Sequence, residues 1–136
     1  MKRKNLEKIK GEIESLVLYA KKRENIEAIY LFGSSGTEYE TAFSDIDIAI
    51  LYGTYITLEE ELSVECDICK IFSRDNIDVV SLNKVPVNLQ FEIISTGDLI
   101  YCKDNLKLVD FVESVINFYQ DYSYTLESIY NDMIEG

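Results

Sequence analysis

Two apolar runs joined by a polar turn, residues 30–52, constrain this chain more than any other stretch. The first run, Tyr30-Leu31-Phe32, stops at Gly33-Ser34. The second opens on Asp45-Ile46-Asp47 and continues through Ile48-Ala49-Ile50-Leu51. Side chains alternate along a strand, so Asp45 and Asp47 share one face of a strand that is otherwise apolar. Two neighbouring carboxylates repel unless a cation lies between them. The pattern therefore predicts a divalent-metal site at the start of a strand, with Gly33-Ser34 beside it.

Charge narrows the choice of partner. Residues 1–24 carry eight basic and four acidic side chains, whereas residues 25–136 carry five basic and twenty-one acidic ones. A long DNA or RNA substrate calls for a basic face to replace phosphate counterions. The acidic body argues against one, and the basic N-terminal segment reads as a solvated helix face. The chain has no histidine, which removes Ser-His and Cys-His nucleophile chemistry. Its three cysteines include one Cys66-x-x-Cys69 pair at helical spacing, without the further ligands of a zinc tetrahedron, so buried free thiols are expected. No apolar run is long enough to span a bilayer and none follows the basic N-terminus as a signal core, so the expected location is the cytoplasm.

The remaining elements follow from periodicity. Residues 4–24 read as a helix, and residues 26–32 as a strand buried on both faces. Residues 45–52 read as a second strand, with Ile46, Ile48 and Ile50 on one face. Thr57 to Glu60 has the form of a capping box. The helix it opens runs to about residue 72, with Leu58, Leu62, Cys66, Cys69 and Phe72 as the expected stripe and Ile68 and Ile71 beside it. Asp67 reads as a surface charge. Residues 77–82 read as a third strand carrying Asp78 near its start. A short helix over 87–96 closes at Gly97, and residues 99–101 form a short fourth strand or an extended arm. Residues 105–134 are helical, with Leu106, Val109, Val112, Ile116, Tyr119, Leu126, Ile129 and Met133 following the period. One helix of that length spans roughly 45 Å, so it either folds back as two pieces or projects toward a partner. A single domain, residues 1–136, with its core at about 26–110, is the expected organisation.

Asp45 and Asp47 from one strand and Asp78 from another can meet if their strands are neighbours in register. Three hard oxygen donors suit Mg²⁺ or Mn²⁺. Two such ions can grip the attacking and leaving oxygens of an in-line phosphoryl displacement. Gly33 lets the backbone approach a phosphate, and the hydroxyls of Ser34 and Ser44 lie in the same turn.

Gly33-Ser34, ten residues, then Asp45-Ile46-Asp47 resembles the signature of minimal nucleotidyltransferases of the DNA polymerase β-like superfamily. Ile77-Asp78-Val79-Val80 resembles the strand bearing that family's third carboxylate, and residues 89–101 its helix and following turn. The resemblance implies an α/β fold: a small mixed β-sheet flanked by helices, the polymerase β-like palm. Chains this short are similar to the antitoxin halves of HEPN–nucleotidyltransferase toxin–antitoxin pairs. The resemblance then implies ATP as substrate, bound through Gly33, Ser34 and Ser44. It also implies two Mg²⁺ ions (Mn²⁺ as substitute) on Asp45, Asp47 and Asp78. A partner HEPN toxin would supply a tyrosine hydroxyl as acceptor, in a hetero-oligomer with this chain.

Residues 35–44 depart from the family pattern. They contain no lysine or arginine, and they carry Glu38 and Glu40 where a cation near the phosphates is usual. Arg74 and Lys84 are the candidates to replace it. Two further readings stand beside the first. One is an antitoxin that acts by binding and occlusion. The other is nucleotidyl transfer to a cationic small molecule such as an aminoglycoside.

Overall fold

The computed structural model describes residues 9–33, 46–74 and 76–135. The elements run α1 (Lys10–Lys21), β1 (Ile26–Phe32), β2 (Ile46–Tyr52), α2 (Leu58–Phe72), β3 (Ile77–Ser81), α3 (Val87–Thr96), β4 (Asp98–Cys102) and α4 (Asn105–Glu135). The four strands form one mixed sheet in the order β3-β2-β1-β4. β1 pairs antiparallel with both β2 and β4, and β2 pairs parallel with β3. A parallel pair needs a long crossover, and α2 supplies it. The expected α/β sheet is present, and residues 98–102 are its fourth strand rather than a loose arm.

Strand alternation sorts the core into two layers. Ile46, Ile48 and Ile50 join Ile29 and Leu31 under α1 and α2, where Leu16, Ala20, Val64, Ile68 and Phe72 cover them. Ala49 and Leu51 face the other way with Ala28 and Tyr30, beneath Ile93 of α3 and Leu108 of α4. The central strands β1 and β2 are thus apolar on both faces, as their near-continuous sequence runs predict.

Two helices bury a face that only partly overlaps the expected one: Ile68 and Phe72 of α2 and Val112 and Tyr119 of α4 pack as expected, and other stripe positions do not. In α2 the sheet takes Val64, Ile68 and Phe72, while Leu58, Leu62 and Cys66 are exposed. The thiols correct the expectation of burial: none is in a disulfide, but Cys66 is at the surface and Cys69 and Cys102 are half-buried. In α4 the buried positions are Leu108 and Val115, and Leu106, Val109 and Ile116 are exposed. α4 is one unbroken helix.

Local chemistry fixes the ends. The Thr57 side chain accepts the Glu60 N–H and its hydroxyl donates to the Glu60 carboxylate, so half of the expected capping box forms at the start of α2. Thr57→Ala lowers stability by about 1 kcal/mol, read as a lower urea midpoint at unchanged slope. Asp67 is not a bare surface charge: it accepts the Tyr19 hydroxyl at 2.7 Å and the Arg23 guanidinium at 3.1 Å, tying α1 to α2. Asp104 caps α4 by accepting the Leu106 N–H at 2.9 Å. The root of α4 is also held by Lys107, 3.5 Å from Glu27, a carboxylate buried in β1. Gly53 makes room for that carboxylate, since a Cβ there would lie 2.6 Å from Glu27 Oε1.

Burial pushes the hydroxyls of Tyr19, Tyr30 and Tyr52 above the ordinary tyrosine range, and the Tyr19 bond to Asp67 adds to the effect. Above pH ~10 the unfolded chain releases tyrosine protons that the folded chain still holds. The stabilisation is therefore complete below that pH and is lost as pH rises toward the folded values. Urea midpoints fall between pH 9 and 11, and they fall less in Tyr52→Phe.

Candidate active site

The end of the sheet where β1 leaves and β2 and β3 begin collects the polar residues singled out by sequence. Asp47 and Asp78 are Cα partners across the parallel β2–β3 pair. Partners in register point to the same face, and neighbouring strands lie about 4.8 Å apart. The two carboxylates are therefore brought together, on the α3 and α4 side of the sheet. Asp47 is half-buried and Asp78 is exposed. The register is pinned at its first rung by the Ile46 N–H, which donates to the Asn76 carbonyl at 3.0 Å.

Gly33 is the other half of the site. Phe32 is the partner of Asp47 across the antiparallel pair, so the next residue turns out beside the carboxylate. Gly33 has φ +81°, a left-handed conformation that favours glycine. A Cβ at this position would overlap Asp47 Oδ2 and lie 3.0 Å from its Cγ. Gly97 performs a similar service underneath. A Cβ there would meet the Ile93 carbonyl at 2.6 Å and the Leu31 carbonyl at 3.2 Å, so the end of α3 packs directly on the end of β1.

Asp45, Ser34 and Ser44 lie outside the described residues. Among the described residues no group of three or more acidic, cysteine or histidine side chains is placed to hold a metal ion. Asp47 and Asp78 form a pair rather than a triad among the described residues. Two adjacent carboxylates of equal register, backed by an open glycine backbone, fit a hard divalent cation.

Of the two cations expected to replace the missing basic residue, one is in the wrong place. Lys84 follows the far end of β3, where it donates to the Ile56 carbonyl, pairs with Glu61 at 2.9 Å and lies over the Tyr55 ring. Arg74 lies on the approach to β3, and its Nε donates to Asn76 Oδ1 at 2.6 Å. Asn76 thus links the guanidinium to the rung that sets the aspartate register. The Arg74-x-Asn76 spacing before a strand is the only trace of this link in the sequence.

Residues 14–106 match the family model for polymerase beta nucleotidyltransferases, an interval that includes Gly33, Asp47 and Asp78. No curated protein matches the chain. Several solved structures share its fold. A chain of the MntA–HepT toxin–antitoxin structure superposes with a TM-score of 0.69 at 19% identity, over 90% of this chain and 97% of that one. A toxin–antitoxin structure with AMP-PNP gives a TM-score of 0.72 at 21% identity, over 90% and 96%. A complex of tri-AMPylated Shewanella oneidensis HEPN toxin with MNT antitoxin gives 0.69 at 18% identity, over 90% and 96%. No described helix of this chain is long and apolar enough to cross a membrane. The palm-like sheet and the model match over most of the sequence agree, and this chain belongs to the polymerase beta nucleotidyltransferase family.

Proposed function

We propose that this chain is an antitoxin that transfers AMP from ATP to a tyrosine hydroxyl of a partner HEPN toxin. The observation that carries the reading is the alignment of Asp47 with Asp78 across β2 and β3, in a chain of this family. The toxin–antitoxin complexes of like fold, one of them with an AMPylated toxin, support it.

Asp45, Asp47 and Asp78 are the residues that would hold Mg²⁺ or Mn²⁺. When bound, two such ions offset charge on the attacking and leaving oxygens. Gly33 presents backbone to the triphosphate, and Ser34 and Ser44 add hydroxyl donors. Arg74 supplies the positive charge that residues 35–44 lack. In the transfer, the tyrosine oxygen forms a bond to the α-phosphorus as the bond from that phosphorus to the bridging α–β oxygen breaks. Pyrophosphate leaves with the electron pair, and Asp78 takes the hydroxyl proton.

Incubation with HEPN toxin, Mg²⁺ and ATP labelled at the α-phosphate tests the proposal. Label appears on toxin tyrosine and pyrophosphate accumulates; unlabelled toxin after prolonged incubation rejects transfer. Arg74→Ala raises the KM for ATP more than it lowers kcat.

The acidic loop favours a second reading, neutralisation by occlusion without turnover. It carries Glu38 and Glu40 and no cation. Under that reading the complex with toxin forms normally in Asp47→Asn, and ATP with Mg²⁺ leaves the melting temperature unchanged.

A further inference from the structure

α4 continues well past the body it is rooted in. Its first half packs through Leu108, Val112 and Val115, and Tyr119 stacks on Phe91 of α3 with ring centroids 3.9 Å apart. The same spacing then continues: Tyr122, Leu126, Ile129 and Met133 follow Tyr119 at alternating steps of three and four. These eight positions form one apolar seam with a seven-residue repeat, the pattern by which two helices pair side by side. The first four are covered by the fold. The last four are 40%, 49%, 51% and 77% exposed. A seam of this kind kept in water costs solubility and gains nothing for the free fold.

Charge indicates what covers it. From Leu108 to the end of the chain there are six acidic residues, Asp110, Glu113, Asp121, Glu127, Asp132 and Glu135, and no basic one. Pairing two copies of this helix would set like charges against each other, in a chain of net charge −12. A complementary occupant has an apolar seam of its own and lysine or arginine beside it.

We infer that residues 122–133 of α4 are the docking surface for one helix of the partner toxin, a helix with an apolar seam and basic flanks. This rests on the antitoxin reading and names the surface by which it holds its partner. The helix extends the α3–α4 packing outward, so the toxin helix adds to a seam the fold has already begun. The interface is separate from the aspartate pair. It therefore sets affinity and KM for the toxin and leaves the chemistry of transfer alone.

The test uses Leu126→Ser/Ile129→Ser in the full chain. Both side chains are half-exposed in the free protein, so its melting temperature is expected to stay close to that of the unaltered chain. Binding to HEPN toxin is measured by titration, and AMP transfer as a function of toxin concentration. The expected result is a Kd about 30-fold or more weaker, with a matching rise in the KM for toxin and unchanged kcat. Glu127→Lys/Asp132→Lys weakens binding further at low salt than at high salt.

Unchanged Kd and KM in the serine variant overturn the inference while leaving AMP transfer standing. Seam-dependent binding without any transfer upholds the docking surface and rejects the enzymatic reading instead. No binding of toxin by the unaltered chain overturns both. A dimer of the unaltered chain alone, dissociated by the serine pair, would assign the seam to a second copy and also overturn the inference.

Discussion

Asp47→Asn and Asp78→Asn each lower AMP transfer by on the order of 10³-fold or more, and Asp78→Asn does so without destabilising the metal-free fold. Losing a ligand that stabilises charge on a transferring phosphoryl group costs several kcal/mol of barrier, and each 1.36 kcal/mol is about tenfold in rate. Stability moves the other way. Asp78 is exposed and faces Asp47 across a parallel pair, so the metal-free fold gains nothing from its charge. An amide at position 78 removes one of the two charges. The melting temperature in chelator is therefore equal to or above that of the unaltered chain. Added Mg²⁺ or Mn²⁺ raises it in the unaltered chain, because an ion that binds only the folded state stabilises by mass action. The rise is absent in the variants. A core substitution behaves in the opposite way: Ile48→Ala, at a position buried under α2, lowers the melting temperature with and without metal.

Gly33→Ala is expected to be the most damaging single methyl in the molecule. The residue has φ +81°, which costs an L-residue about 1–2 kcal/mol. The methyl also occupies the place of Asp47 Oδ2, so the carboxylate must rotate away or the β1 exit must shift. Overpacking of this kind costs roughly another 1–3 kcal/mol. The lost stability is read as a shift of the urea midpoint. Transfer falls by as much as in Asp47→Asn, because the displaced group is Asp47 itself. Gly11, around which a Cβ would meet nothing within 4 Å, serves as control, and Gly11→Ala in α1 leaves activity unchanged.

The strands and the aspartate pairing were legible because they rest on period two. Ile46, Ile48 and Ile50 point one way whatever surrounds them, and Asp47 goes with Ala49 and Leu51. Helix faces were less legible where two apolar stripes compete. In α2 both Leu58-Leu62-Cys66 and Val64-Ile68-Phe72 satisfy helical spacing, and the sheet buries the second. In α4 the buried positions, Leu108 and Val115, sit beside exposed Leu106, Val109 and Ile116, which fit the period equally well. Glu27 left no sign in the sequence at all. A carboxylate inside an apolar strand is tolerable only because Lys107, eighty residues away, and the bare backbone at Gly53 surround it. Long-range partners of that kind have no local signature. Arg74 and Lys84 looked equivalent as stand-in cations, and the topology alone put one at each end of β3.

The intact mass of the HEPN toxin, purified from cells making it together with this chain, tests the central claim most directly. Toxin made with the unaltered chain carries AMP on tyrosine, and toxin made with Asp78→Asn carries none and remains active. Toxin that is neutralised yet unmodified in the presence of the unaltered chain would contradict nucleotidyl transfer as its mode of action.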